Sequence, residues 1–270
     1  MTQTIFITGA STGLGRATAL LFAQKGWKVF ATMRSPDKEA DLAKVEGVTL
    51  LRLDVTKPDQ IAEAAMTALS TGPVDVLFNN AGYGLSGPFE AASDLQLAGQ
   101  IETNLLGPMR TTQAFLPTMR ERRRGTIITT TSIGGLATFP FNSVYHATKW
   151  GLEGWSESLA FELEPFGIRV RTVAPGGMSS DFAGRSLAMT QHPAYAEALG
   201  KMFAAFSTPE RVAQSSTPEH IAQSVYEAVL DTTDRVTFVV GEDAKAIYAQ
   251  RLQVGVEAFR AGIRSMFLGS

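Results

Sequence analysis

The sequence predicts an α/β fold in which one doubly wound, seven-stranded parallel sheet carries helices on both faces. Short runs rich in β-branched and aromatic residues alternate with longer segments of helical period. This order is typical of parallel strands joined by helical crossovers. No repeat, low-complexity tract or Pro/Gly/Ser-rich linker interrupts the 270 residues. We therefore expect a single domain over residues 1–270.

Each strand is placed on a short apolar run, and the helices are placed on the longer periodic segments between them. The predicted strands are Thr4–Thr8, Lys28–Met33, Thr49–Asp54, Val74–Asn79, Gly125–Thr131, Arg169–Ala174 and Thr237–Val240. The predicted helices are Leu14–Lys25, Pro58–Leu69, Asp94–Arg120, Ser143–Glu164 and Pro218–Leu230. In such a sheet the carboxyl ends of the strands face the ligand crevice.

A glycine-rich turn joins the first strand to the first helix. It reads Thr8-Gly9-Ala10-Ser11-Thr12-Gly13-Leu14-Gly15. Glycines permit a tight turn and let backbone N–H groups approach a pyrophosphate, whose charge the helix N-terminus favours. The spacing G-x-x-x-G-x-G differs from the commoner G-x-G-x-x-G. A dinucleotide site is the predicted function of this turn, and a glycine-rich turn without a ligand is the alternative.

The tip of the second strand carries Arg34, and no acidic residue stands there to bind a ribose 2′-hydroxyl. A guanidinium can pair with the 2′-phosphate of NADP, whereas a carboxylate would repel it. Ser11 could add a hydroxyl donor to that phosphate. We predict NADP (NADPH) as the preferred cofactor, with NAD possible; a solvated surface arginine is the alternative.

Three polar side chains form a candidate catalytic group. Tyr145 and Lys149 are four residues apart and therefore share one face of a helix. A free tyrosine has a pKa of about 10, so it is a poor acid or base near neutrality unless a cation stabilises its phenolate. Ser132 follows the fifth strand, where a hydroxyl could bond a substrate carbonyl. The Tyr/Lys pair alone is typical of an exposed helical face, but the combination favours catalysis.

Three apolar segments are candidates for the substrate site. Residues of about 178–217 contain no predicted strand and are rich in Met and Phe, which suits either extra core helices or a substrate lid. Phe139-Pro140-Phe141 lies between Ser132 and Tyr145. The tail of about 242–270 is predicted to be helical, with its apolar face in core or subunit contact and a wall of the substrate site as the alternative. Its apolar stripe comprises Ile247, Leu252, Val256, Phe259, Ile263 and Phe267.

Composition argues against several other classes. The formal net charge of −2 disfavours a nucleic-acid surface. The absence of cysteine excludes disulfides and thiolate sites, and His146, His192 and His220 lack metal-ligand spacing, so we expect no metal. We see no secretion signal and no long uncharged apolar stretch, and we expect a cytoplasmic protein without a membrane span.

The motifs, taken in order, resemble the short-chain dehydrogenases/reductases over almost the whole chain, from Thr4 to about Gly241. The residues that carry the resemblance are Thr8-Gly9-x-x-x-Gly13-x-Gly15, Asp54-Val55, Asn79-Asn80-Ala81-Gly82, Asn104, Ser132, Tyr145-x-x-x-Lys149 and Pro175-Gly176. A more diffuse similarity links the chain to the branch that includes carbonyl reductases and hydroxysteroid and retinol dehydrogenases. The resemblance implies a Rossmann-type domain that exchanges hydride between a nicotinamide and the carbon of an alcohol or carbonyl.

The resemblance also implies a role for each matched residue. Tyr145 would be the general acid/base, Ser132 would orient the carbonyl oxygen, and Lys149 would lower the tyrosine pKa and hold the nicotinamide ribose. Asn104 would help to hold a water that relays protons to the lysine. The implied cofactor contacts are Asp54 and Val55 for adenine, Asn80, Ala81 and Gly82 for the adenosine and ribose side, and Pro175, Gly176 and Met178 for the nicotinamide. The family often has Thr shortly after Pro-Gly, where Ser180 can offer the same hydroxyl here.

Three functional hypotheses follow. The first is an NADPH-preferring carbonyl reductase or alcohol dehydrogenase for a bulky apolar ketone, aldehyde or alcohol, forming a homo-oligomer (dimer or tetramer) by analogy. The second is a catalytically silent NADP-sensing regulatory protein. The third is a 3-oxoacyl-thioester reductase, for which Arg122, Arg123 and Arg124 would be a landing surface for an acidic carrier.

Overall fold

The computed structural model describes residues 2–179 and 186–269. Its strands are β1 Thr4–Ile7, β2 Lys28–Met33, β3 Val48–Arg52, β4 Val76–Asn79, β5 Gly84–Ser86, β6 Gly125–Thr130, β7 Ile168–Pro175, β8 Leu187–Met189 and β9 Thr237–Val240. Its α-helices are α1 Gly13–Gln24, α2 Pro58–Ser70, α3 Asp94–Ile101, α4 Gly107–Arg122, α5 Ser143–Leu163, α6 Ala196–Phe206, α7 Pro209–Ala213, α8 Pro218–Leu230, α9 Glu242–Val254 and α10 Val256–Leu268.

Seven strands form one sheet in the order β3-β2-β1-β4-β6-β7-β9, and every pairing is parallel. The predicted doubly wound sheet is therefore confirmed. The strand order reverses between β1 and β4, because the chain crosses from the β3 edge back to the centre. In open α/β sheets, ligands bind beyond the carboxyl ends of the strands at such a switch point.

The alternation of side chains along the strands builds a core on each face of the sheet. Along β1, Ile5 and Ile7 pack into the cluster that includes Phe22 of α1, whereas Phe6 faces the opposite cluster with Phe115 of α4. The rings of Phe6 and Phe115 have centroids 4.7 Å apart. Because both faces are covered, the strands are apolar on both sides.

The predicted helix Asp94–Arg120 is wrong as one continuous element. A π-helical turn, Glu102–Leu106, separates α3 from α4. In an α-helix the carbonyl of Asn104 would accept a hydrogen bond from the N–H of residue 108. Pro108 has no N–H, so this bond cannot form. A proline at this point therefore accounts for the break, and π-turns inside helices are frequent at functional sites.

The expectation that residues 178–217 contain no strand is also wrong. β8 pairs in parallel with β5, and the two form a small separate sheet. The remainder of this segment supplies α6 and α7, which pack with the tail rather than with the main sheet.

The helical tail is confirmed for residues 242–268, but it consists of two helices. Gly255, with a φ of +78°, separates α9 from α10. Phe259, Ile263 and Phe267 of the predicted stripe are buried, whereas Leu252 and Val256 are exposed because the chain turns between the two helices. Across residues 2–179 and 186–269, no helix combines the length and apolar character needed to cross a bilayer.

Candidate active site

The side chain of Thr8 joins the two strands that flank the switch point. Its hydroxyl oxygen accepts hydrogen bonds from the backbone N–H groups of Asn80 at 2.9 Å and Ala81 at 3.0 Å. The loop after β1 is therefore fastened to the loop after β4. This junction fixes the glycine turn at the mouth of the crevice.

The glycine turn leaves no room for side chains at two of its positions. A Cβ at Gly9, where φ is +69°, would lie 2.8 Å from Cα of Ala81, and a Cβ at Gly15 would lie 2.3 Å from the carbonyl oxygen of Gly9. α1 begins at Gly13 without a side-chain cap from Thr12 and without an acidic residue in its first turn. Its N-terminal N–H groups are therefore suited to an anion.

Asn80 connects this turn to the candidate catalytic residues. Its amide donates to the carbonyl oxygens of Thr8 and Gly9, both at 3.0 Å. Its Oδ1 lies 3.4 Å from the hydroxyl of Thr130 at the end of β6. The carbonyl of Thr130 accepts a 2.8 Å hydrogen bond from Nζ of Lys149. The glycine turn and the lysine thus belong to one chain of contacts.

Ser132, Tyr145 and Lys149 converge as the sequence predicts. Tyr145 and Lys149 lie one turn apart on α5, and Nζ of Lys149 is 5.7 Å from the centroid of the tyrosine ring. Ser132 follows β6, its hydroxyl oxygen accepts from the N–H of Gly134 at 3.0 Å, and its side chain is near enough to Tyr145 to lower the pKa of that phenol. The three side chains meet at the carboxyl edge of the sheet.

The ionisation of the tyrosine differs from the sequence-based expectation. Burial raises the pKa of Tyr145 above its ordinary value, and the hydroxyl of Ser132 only partly opposes this effect. Burial also lowers the pKa of Lys149 to about 8, while the charge of Glu153 opposes that shift. Desolvation is therefore the largest cause of both pKa shifts, because each group loses contact with water in its charged form.

Asn104 lies in the π-helical turn and is buried. Its amide donates to the carbonyl of Tyr83 at 2.7 Å, and its Oδ1 accepts from the N–H of Tyr83 at 3.0 Å. The side chain thus holds the residue that follows Gly82. The backbone carbonyl of Asn104 also lacks its usual helical donor, because Pro108 has no N–H.

An aromatic wall is built around the loop that joins Ser132 to Tyr145. Phe139 contacts Phe206 of α6 and Phe267 of α10 with centroids 5.9 Å and 5.8 Å apart. Phe141 has a φ of +60°, a conformation that costs a bulky residue about 1–2 kcal/mol. Its carbonyl is held by the N–H of Gly87 at 2.7 Å and the hydroxyl of Ser86 at 3.1 Å. β5 thereby fixes this loop.

The remaining candidate cofactor residues lie at the same edge of the sheet. Arg34 and Ser11 are exposed at the ends of β2 and β1, and Val55 is buried after β3. Asp54 accepts hydrogen bonds from the backbone and hydroxyl of Thr56 at 3.0 Å and 2.8 Å. Pro175 ends β7. Ser180 lies outside the described residues.

Sequence reasoning missed two carboxyl groups near this edge. Glu153 is buried one turn beyond Lys149 on α5, and its four-residue spacing from Lys149 was a signal that could have revealed it. Asp243 of α9 accepts a 2.7 Å hydrogen bond from the N–H of Gly177, next to Pro175 and Gly176. No local pattern predicts that contact, since 66 residues separate the partners.

Comparison with known proteins identifies the family. The family model for short chain dehydrogenases matches residues 3–191. The chain is a short-chain dehydrogenase. The membership inferred from its motifs is thus confirmed. The solved structure of a short-chain dehydrogenase from Streptomyces avermitilis has the same fold, with a TM-score of 0.85 and 33% sequence identity. The match covers 98% of this chain and 95% of that one.

Several curated relatives of this short-chain dehydrogenase carry specific names. A 3-ketodihydrosphingosine reductase of Bacteroides thetaiotaomicron is 40% identical over 67% of this chain and 65% of its own length. Human retinol dehydrogenase 8 is 38% identical over 69% of this chain and 62% of its own length. The chain therefore spans less than two thirds of these relatives. An alcohol dehydrogenase from Thermococcus sibiricus, solved with 5-hydroxy-NADP, is 27% identical with a TM-score of 0.73, covering 89% of this chain and 97% of that one.

Proposed function

We propose that this short-chain dehydrogenase is an NADPH-preferring oxidoreductase that reduces a bulky apolar ketone or aldehyde to its alcohol. The observation that carries the proposal is the convergence of Ser132, Tyr145 and Lys149 beside the glycine turn at the switch point. An acid, a hydroxyl that can orient an oxygen and a cation are the groups that carbonyl reduction requires.

The residues present fit a dinucleotide cofactor. The close packing at Gly9 and Gly15 holds the turn against the loop after β4, and the uncapped start of α1 suits a pyrophosphate. Arg34 and Ser11 would hold a 2′-phosphate, and Lys149 would hold the nicotinamide ribose. The other assigned contacts are Gly13, Leu14, Asp54, Val55, Asn80, Ala81, Gly82, Pro175, Gly176, Met178 and Ser180. When bound, the cofactor supplies the hydride.

Tyr145 acts as the general acid in this proposal. Because burial raises its pKa, Tyr145 is protonated at neutral pH and can give its proton to the substrate oxygen as the carbonyl carbon is reduced. Ser132 orients that oxygen. The ammonium of Lys149 stabilises the phenolate that remains until a proton returns. The backbone carbonyl of Asn104 is the acceptor for a water on that return path.

The aromatic wall supports an apolar substrate. Phe139 packs 5.9 Å from the ring of His146, the residue after Tyr145, and Phe206 and Phe267 extend the wall across α6 and α10. The names of the relatives refer to ketodihydrosphingosine, retinol and hydroxysteroids. Exposed Leu95 on α3 and Phe161 on α5 support a homo-oligomer.

The alternative of a 3-oxoacyl-thioester reductase loses part of its support. Arg122 pairs with Asp75 at 2.8 Å, and Arg123 donates to the carbonyl of Pro165 at 2.5 Å. Two of the three arginines proposed as a landing surface are thus engaged within the chain. The sensor alternative predicts tight NADPH binding with no turnover.

One assay decides among these functions. Initial rates of NADPH and NADH oxidation would be measured over aryl ketones, aliphatic aldehydes, a steroid ketone and a short acyl thioester. Faster turnover of a bulky ketone with NADPH supports the proposal. Preference for the thioester favours the 3-oxoacyl-thioester reductase, and tight NADPH binding without turnover of any compound favours the sensor.

Replacing Arg34 with Ala is expected to raise the KM for NADPH about tenfold and to leave the KM for NADH unchanged. One charge-assisted hydrogen bond is worth about 1.5–3 kcal/mol, and 1.4 kcal/mol corresponds to tenfold. Arg52→Ala is the matched control, because Arg52 ends the neighbouring strand β3 and already pairs with Asp37 at 3.2 Å. Equal changes with both cofactors would show that Arg34 does not contact the phosphate.

A further inference from the structure

One buried carboxyl group has no part in the reaction proposed above. Glu153 is 9% exposed, and no other Asp or Glu of residues 2–179 and 186–269 is buried to this degree. It follows Lys149 by four residues, as Lys149 follows Tyr145, so the three side chains occupy successive turns on one face of α5.

Gly135 brings the turn after Ser132 down onto this face of α5. A Cβ at Gly135 would lie 2.9 Å from the carbonyl oxygen of Lys149 and 3.2 Å from Cγ of Glu153. The absence of that atom lets the turn cover the glutamate and shield it from solvent. The carboxyl group is thereby kept out of water, one helical turn beyond Lys149.

Hydroxyl groups from two strands donate hydrogen bonds to the carboxyl group of Glu153. Thr172 of β7 donates to Oε2 at 2.9 Å, and Thr237 of β9 donates to the same oxygen at 3.1 Å. Burial raises the pKa of Glu153, and these hydroxyl donors together with the charge of Lys149 only partly oppose that shift. A carboxylate that accepts such bonds retains its charge more readily.

We propose that Glu153 is a positioning residue whose carboxylate keeps Lys149 in its ammonium form behind Tyr145. This inference rests on the proposed function. An ammonium buried without a counter-charge would lose its proton, because desolvation penalises the charged form. With Glu153 on the far side of Lys149 from Tyr145, the cation is retained where the phenolate forms.

The surroundings of Lys149 leave Glu153 as the carboxylate that acts on it. On α5 the neighbouring titratable groups are Tyr145 and His146, and burial lowers the pKa of His146 to about 4, so its ring is neutral at the working pH. β6 contributes the carbonyl of Thr130. On β7 the guanidinium of Arg171 is turned toward the carbonyls of residues 233 and 235.

Replacing Glu153 with Gln tests the charge while preserving the shape. The functional form of Lys149 is protonated and is lost as the pH rises through its pKa, and removing the carboxylate lowers that pKa. The alkaline limb of the kcat profile is therefore expected to move to lower pH by about one unit. Glu157→Gln, one exposed turn further along α5, is the matched control and should leave the limb in place.

Glu153→Asp separates charge from packing. If the charge matters, the E153D variant keeps most of the wild-type pH profile of kcat and the E153Q variant does not. If Glu153 only ties α5 to the sheet, the isosteric Gln is tolerated better than the shorter Asp, and that order would overturn the proposal. Should E153Q fail to fold, Thr237→Val removes one donor from the carboxylate and is expected to give a smaller shift in the same direction; no shift would count against the proposal.

The ionisation of Lys149 can also be followed without turnover. Nuclear magnetic resonance of protein labelled with ¹³C-lysine reports the titration of each side chain, and Lys149→Arg assigns the resonance. A lower titration midpoint in E153Q than in wild type supports the proposal even if no carbonyl substrate is turned over. An unchanged midpoint overturns it, whatever the outcome for the proposed function.

Discussion

Replacing Tyr145 with Phe is expected to lower kcat for carbonyl reduction by about 10²–10⁴-fold, the usual contribution of a positioned general acid. Only the phenol oxygen is removed, and the ring keeps its place one turn from Lys149. NADPH affinity should therefore change little. The measurement pairs initial rates on the best ketone with a fluorescence titration of NADPH.

Tyr226→Phe is the matched control for this experiment. Tyr226 of α8 packs against Phe22 with centroids 5.3 Å apart, on the face of the sheet away from α5, so loss of its hydroxyl should leave kcat unchanged. If Y145F retained the wild-type rate, another group would have to be the proton donor. If Y145F and wild type both bound NADPH and neither turned over any substrate, the result would support the sensor function instead.

The elements defined by local periodicity were predictable from the sequence. Lys28–Met33, Thr237–Val240 and Pro218–Leu230 have the predicted bounds, because a short run rich in β-branched and aromatic residues and an N-cap followed by proline are local signals. The convergence of Ser132 with Tyr145 was also predictable. It follows from a strand end and a helix face that any parallel sheet brings to one edge.

The elements that the sequence did not reveal depend on distant partners. β5 and β8 are three residues long and pair across about 100 residues of chain, so neither carries a periodic pattern of its own. The raised pKa of Tyr145 results from burial that only the packed fold produces. The π-turn is different, since Pro108 was visible and argued against an uninterrupted helix.

Replacing Gly15 with Ala is expected to weaken NADPH binding by about 10–100-fold and to lower the free energy of unfolding by about 1–3 kcal/mol. In an ordinary helix this change would stabilise by about 1 kcal/mol. Here the new Cβ would lie 2.3 Å from the carbonyl oxygen of Gly9 and 2.6 Å from Nδ2 of Asn80. The steric clash with the backbone carbonyl costs more than alanine gains in helix propensity, because the clash can be removed only if the loop itself moves.

Gly26→Ala separates the loss of affinity from a loss of stability. Gly26 follows the other end of α1 with a φ of +77°, and its Cβ would meet nothing within 4 Å. Alanine there should cost about 1–2 kcal/mol through backbone strain and leave NADPH affinity unchanged. Both variants would be compared by denaturant unfolding and by NADPH titration. If G15A kept wild-type affinity, the glycine turn could not be the pyrophosphate site, because its backbone N–H groups move with Gly9.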